Sequence, residues 1–235
     1  MVLNMNNSEF GTNRTRMMSS RYLALTIQLS ILGVMVGLSY SPFFSDVSSP
    51  FQNVLAQTEN GEQATSNTTA FETYENTGFG FTMEYPSTWS VTQVREDPSA
   101  PANGSIVAIF KAPTESQTDM YQENLILNVQ GPIPNEMTLE EYTDNSLNAF
   151  RNMSDTVQIF ESSPTTLSGL PAHEIVYTSS STPGLNLKKM QVFTVVNDNM
   201  AYVITFSAED PQFNKYLPDV QKMISSVQIN EQAVT

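Results

Sequence analysis

Gly78-Phe79-Gly80-Phe81-Thr82-Met83-Glu84-Tyr85-Pro86-Ser87-Thr88-Trp89 carries the clearest structural pattern in this 235-residue chain. Phe79, Phe81, Met83 and Tyr85 alternate with Gly80, Thr82 and Glu84. A period of two sends the large apolar side chains to one face, so the stretch predicts a half-buried β-strand. Pro86-Ser87-Thr88 makes a turn, and Trp89–Val94 resumes as a second strand.

Working downstream, 96–105 is a loop rich in Pro, Gly and Asn. Ile106–Lys111 and Asn124–Gln130 read as strands separated by a polar, acidic connection. Gly131-Pro132-Ile133-Pro134-Asn135 ends the second of these. Thr138 stands three residues before Glu141, a capping box, and Leu139, Tyr142, Leu147, Phe150 and Met153 follow at helical spacing. Val157–Glu161 is a short strand. Leu167-Ser168-Gly169-Leu170-Pro171 turns the chain into Ala172–Thr178, and 179–184 forms a hairpin turn. Two long strands follow, 186–196 and 200–207, joined by Asn197-Asp198-Asn199. Val192, Thr194 and Val196 alternate with Phe193 and Val195, so both faces of that strand are buried and it lies inside a sheet. Asp210-Pro211 is a helix start with a cap followed by proline at the first position. Phe213, Leu217, Val220, Ile224 and Val227 continue it, and Pro218 predicts a kink or a split. Strands, helix, strands, helix with hairpin connections give an α+β domain, an antiparallel β-sheet flanked by helices.

Working upstream, 45–70 is rich in Ser, Thr, Asn, Gln and Glu and has no apolar period, which reads as a flexible linker. Tyr22–Tyr40 contains no charge, and the uncharged run continues through Ser45. Nineteen helical residues span roughly 29 Å, close to a hydrocarbon core. Residues 22–44 are therefore expected to form a transmembrane helix, or uncleaved signal anchor, ahead of the domain. Arg14, Arg16 and Arg21 place the segment 1–21 in the cytoplasm and everything after the span outside. Val54-Leu55-Ala56 resembles a signal-cleavage site but lies far beyond the apolar run, so retention in the cell membrane is favoured over secretion after cleavage. Asn67, Asn103 and Asn152 each open an N-glycosylation triplet on the exported side.

The sequence 78–89 together with Leu167-Ser168-Gly169-Leu170-Pro171-Ala172 and Ile175-Val176-Tyr177 resembles the PsbP-like family. The first stretch matches its Gly-Phe-x-hydrophobic-x-Tyr-Pro-x-x-Trp pattern at Gly80, Phe81, Met83, Tyr85, Pro86 and Trp89, and the likeness spans 71–230. The resemblance implies the Mog/PsbP fold, an antiparallel sheet with flanking helices, and no shared catalytic chemistry. Photosynthetic members dock on a membrane complex through basic and histidine residues. Those residues have no counterpart here, so the resemblance implies a non-photosynthetic, membrane-anchored relative, and no functional residue is carried over.

Composition narrows the chemistry. The chain has ten Lys and Arg against 24 Asp and Glu, a net charge of −14. Three of those basic residues and one of the acids precede residue 45, so the exported part has seven basic and 23 acidic residues, a net −16. Nucleic-acid phosphate would be repelled by such a body, and no nucleic-acid partner is expected. The absence of cysteine excludes disulfides, thiol catalysis and Fe–S clusters, and a single histidine excludes multi-histidine metal centres.

The remaining candidates have structural explanations. His173 is the one imidazole, but no nucleophile motif accompanies it, so it reads as a solvent-facing strand residue. Glu115, Asp119 and Glu123, joined by Glu136, Glu140, Glu141 and Asp144, could gather a hard cation. Their spacing matches no calcium loop, and a solvated acidic face explains them. The 12 methionines are scattered at apolar positions and fill a core. Tyr85 and Trp89 bracket Pro86 and pin the turn to the core. No catalytic, cofactor-binding or metal-ligating residue is assigned, and no cofactor is implied. The expectation is a non-enzymatic extracytoplasmic domain that binds or assembles a protein partner at the membrane surface. The alternative is a carrier of a small ligand or ion, and an enzyme with an unrecognised carboxylate or His173 site ranks below both.

Overall fold

The computed structural model describes residues 69–94, 102–116, 119, 121–133, 137–153, 155–182 and 185–234. The expected membrane helix at 22–44, the segment before it and the linker to residue 68 lie outside the described residues, as does Glu136. The elements run β1 (Phe71–Asn76), β2 (Phe81–Pro86), β3 (Ser90–Gln93), β4 (Ala102–Lys111) and β5 (Asn124–Gly131), then α1 (Leu139–Asn152). They continue with β6 (Val157–Leu167), β7 (Leu170–Thr182), β8 (Leu185–Val196), β9 (Met200–Glu209), α2 (Asp210–Ser225) and β10 (Gln228–Ile229).

Seven strands form one antiparallel sheet in the order β3-β4-β5-β9-β8-β7-β6, and β1-β2-β10 form a small second sheet. The large sheet separates two apolar layers. On one face, Leu125, Leu127, Val192, Ile204 and Phe206 meet the small sheet and Phe213, Val220 and Met223 of α2. On the other, Ile175, Tyr177, Phe193 and Val203 meet Tyr142, Ala149 and Phe150 of α1. The interior position read for 186–196 is found: β8 lies between β9 and β7.

The quoted stretch divides at Gly80. Phe79 is buried, but it belongs to a 3-10 turn over Thr77–Phe79, and Gly80 turns the chain with φ of 57°. The alternation then holds along β2, with Phe81 and Met83 buried and Glu84 exposed. Phe81 stacks on Tyr202 at 6.3 Å between ring centroids, and the Tyr202 hydroxyl donates to the Phe79 carbonyl at 2.6 Å. These two contacts join the small sheet to the centre of the large one.

Several boundaries differ from expectation, among them the strand read at 172–178, which runs from Leu170 through Thr182 into the expected turn. The strand at 157–161 extends to Leu167, straight through Pro164, because β6 is an edge strand and needs no backbone donor on its open side. The strand at 106–111 begins at Ala102, with register shifts along its pairing to β5. Helix α2 is one unbroken 16-residue helix across Pro218. Pro218 is exposed, so the carbonyl deprived of its helical bond can be hydrated. Its cap is Glu209, not Asp210, and makes no side-chain bond, since β9 runs directly into the helix. The capping box of α1 forms as read: the Glu141 amide donates to Thr138 Oγ1 at 3.3 Å, and the Thr138 amide donates to Glu141 Oε2 at 3.1 Å.

Candidate functional site

His173 lies on β7 and is partly exposed, in line with the strand position expected, with its ring laid against a neighbouring aromatic. Its ring contacts Phe193 at 5.8 Å, and Nε2 is 2.8 Å from the Ser162 hydroxyl on β6. Burial holds its pKa below the ordinary 6.5, so the ring is neutral at pH 7. Successive strand residues point to opposite faces, so Glu174 is directed away from the imidazole. Glu174 instead lines a shallow cleft of about 350 Å³ between the β6–β7 hairpin and α2, with Ser168, Met190, Gln221 and Ile224. Burial, and then the nearby Glu161, raise its pKa.

Trp89 is buried and meets the edge of Tyr216 of α2 at 5.8 Å between centroids. The Tyr216 hydroxyl donates to Glu115 Oε1 at 3.0 Å, and the Lys215 ammonium pairs with the same oxygen. Both aromatic rings border a second open cleft of about 320 Å³, with Thr69, Thr88, Pro113 and Asp219. Trp89 is thus a core anchor that also forms one margin of a notch.

The acidic residues do not converge as one group. Glu115, Asp119 and Glu123 lie within electrostatic reach of one another on the α2 side. Glu140, Glu141 and Asp144 belong to α1, on the far face of the sheet. Asp119 is occupied by backbone amides of Glu115 and Tyr121, at 3.2 and 3.1 Å. Among the described residues no group of three potential ligands could hold a metal ion. Glu123 is buried, and burial first, then Asp119 and Glu115, raises its pKa against the opposing effect of the Glu123 and Glu209 backbone amides.

Sequence reasoning missed two features. One is a polar row on the α1 side of the large sheet. Asn124, Ser207, Lys189, Tyr177 and Ile159 stand opposite one another across β5, β9, β8, β7 and β6. Lys189 is 1% exposed, and burial alone brings its pKa down to about 8. The second is the β6 edge. Phe160 is the extra residue of a bulge between Ile159 and Glu161, and its ring is 58% exposed. It and Val94 are the exposed large apolar residues among those described. The sole charge in β6 is Glu161. The available signal was indirect: polar residues at inward positions of strands otherwise made of Val, Ile and Phe.

The family's sequence profile, described as PsbP-like protein, matches residues 48–229. The chain belongs to the PsbP-like family. No curated protein matches it in sequence. Among solved structures it is similar to cyanobacterial PsbP (CyanoP) from Synechocystis sp. PCC 6803, at 16% identity and a TM-score of 0.50, covering 72% of this chain and 98% of that one. It is also similar to LpqN, involved in cell envelope biogenesis of Mycobacterium tuberculosis, at 12% identity and a TM-score of 0.46, covering 71% of this chain and 87% of that one. The Saccharomyces cerevisiae Ran-binding protein Mog1p matches at 10% identity and a TM-score of 0.45, covering 71% of this chain and 99% of that one. At 16% identity the likeness to CyanoP speaks to the fold alone, the α+β PsbP arrangement. The PsbP-like profile begins 21 residues before the first described residue, inside the stretch read as linker.

Proposed function

We propose that this PsbP-like domain is a non-enzymatic docking module, tethered through residues 22–44 to the extracytoplasmic face of the cell membrane, which binds a protein partner along the open edge of β6. The observation that carries the reading is that edge itself. A free strand edge offers a row of backbone donors and acceptors, and proteins commonly blunt it with charges, proline or a covering element. In β6 the proline lies in the second half, at Pro164, while Val157–Ser163 has one charge and presents the Phe160 ring to solvent. An extended partner segment could add a strand there and take the ring as an anchor. The net −16 of the exported part disfavours a second copy of this chain and favours a partner segment with basic residues opposite Glu161. The two clefts are small and open to solvent, which supports surface contact over enclosure of a ligand.

The test is site-directed photo-crosslinking in intact membranes, with a photoreactive phenylalanine analogue at position 160 of the full chain. A discrete crosslinked protein is expected, and Phe160→Asp should weaken its capture about tenfold or more, the scale of an interface anchor. Undiminished capture by Phe160→Asp, with crosslinks only from the opposite sheet edge at Val91, would overturn the assignment of the edge. Fractionation of the chain with soluble protein would overturn the tether.

A further inference from the structure

We infer that the buried row centred on Lys189 is a binding site for a small monoanion. Lys189 is at the middle of the large sheet, on β8, flanked by Ser207 on β9 and Tyr177 on β7. Ser179 stands one pleat from Tyr177 on the same face of β7. All four side chains belong to residues no more than 5% exposed. The Ser179 hydroxyl has no hydrogen-bond partner, and the Ser207 hydroxyl has only that of Tyr121 beside it. The ion pair found among the described residues joins Lys215 to Glu115, so no carboxylate among them neutralises Lys189. Its sequence neighbour Lys188 is committed to the other face, over the Phe213 ring at 4.6 Å.

A buried lysine with no counter-charge, and a buried hydroxyl with no acceptor, are each costly alone. Together they are complementary to one missing group. Lysine supplies up to three donors and Ser179 one, against the unpaired acceptor Asn124 Oδ1 at the β5 end of the row, so donors are in excess and ask for an acceptor that is negative and compact. The Tyr121 ring, from the segment between β4 and β5, stands beside Ser207 and within electrostatic reach of Tyr177. The Asn124 amide donates to its hydroxyl at 3.0 Å. Tyr121 therefore flanks the Ser207 end of the row, and side chains this deeply buried would admit an ion or a small carboxylate, not a large ligand. The acidic surface around it makes selection by the buried lysine necessary, because anions gain nothing from the protein's general field.

Thermal unfolding of the full chain in detergent at pH 7 tests this, with sodium bromide, sodium acetate and sodium gluconate at equal ionic strength. Bromide or acetate is expected to raise the Tm by about 3–6 °C at tenfold excess over its Kd, while gluconate, too bulky for the row, does not. A response to both small anions indicates an inorganic-type site, and one to acetate alone indicates a carboxylate site. Lys189→Met should abolish the difference between salts. Should that variant fail to fold, Ser179→Ala combined with Ser207→Ala keeps the lysine and should weaken the small-anion affinity about tenfold. Equal effects of all three salts on the wild type, or an undiminished small-anion effect in either foldable variant, would overturn the site.

Discussion

Trp89 shows how one side chain can serve the core while touching a surface notch. Its ring is 5% exposed and lies edge-on to Tyr216, so its removal opens a cavity between the β2–β3 turn and α2. Trp89→Ala should cost about 3–5 kcal/mol in urea unfolding, a large share of an ordinary domain's stability. A substitution that leaves the unfolding midpoint unchanged would mean the ring serves a ligand and not the core. Lys189 gives the opposite residue-scale effect. Its pKa is about 8 in the fold against 10.5 for an ordinary lysine. Between these values the unfolded chain holds a proton that the folded chain has released, so stability rises with pH, and the burial penalty is full below about pH 8. In gluconate, where the row holds no small anion, the wild type should gain about 1–2 kcal/mol from pH 8 to 9.5, and Lys189→Met should gain none from this source. The window stops short of pH 10, because burial raises the pKa of Tyr142, Tyr177 and Tyr202, and their protonated state loses its stabilising advantage above that point.

Elements here are held at their ends by specific bonds. In α1 the Thr138–Glu141 pair satisfies two backbone amides that the first helical turn cannot. Thr138→Ala should destabilise the domain by about 1 kcal/mol, and a double-mutant cycle with Glu141→Ala should be non-additive, because each side chain serves the other's backbone. Full additivity in that cycle would show that the box does not act as a unit. The β6–β7 hairpin turns on Ser168 and Gly169, both at positive φ, of 55° and 77°. Ser168 Oγ accepts from the Ile229 amide at 2.8 Å, which fastens the hairpin to β10. Ser168→Ala should cost about 1–2 kcal/mol through the orphaned amide, and amide exchange at Ile229 should accelerate if that bond is the reason.

For the whole molecule, the proposed tether carries an orientation: with three arginines before the uncharged run and a net −16 after it, the span would lie with its N-terminal side in the cytoplasm. Alkaline carbonate washing should leave the chain with the membrane, and protease added outside intact cells should reach the residues after about 45. Release into the wash would replace the anchor with a cleaved signal. A chain truncated at Thr68 should unfold within about 0.5 kcal/mol of one beginning at Asp46, the scale of changes away from packed features. A larger loss would mean that the residues from 48 onward, which the family profile includes, pack on the domain.

Local pattern was sufficient wherever neighbours in sequence settle the outcome. The alternation at Phe81, Met83 and Tyr85, the Thr138–Glu141 box, and the Asn197-Asp198 turn with φ of 51° at both residues are each written within a few positions. Composition likewise bounded the chemistry, since one histidine and no cysteine leave few catalytic or metal options. Pairing decided the rest. The edge position of β6, which lets a strand run through Pro164 and turns Phe160 outward, depends on which strands are neighbours and not on β6 itself. The row of Asn124, Ser207, Lys189 and Tyr177 joins residues up to 83 positions apart through three registers. In the sequence Lys189 stands beside Lys188 and reads as a charged pair. In the sheet the pleat sends one to solvent-facing aromatic contact and the other into the interior, because adjacent strand residues must face opposite ways.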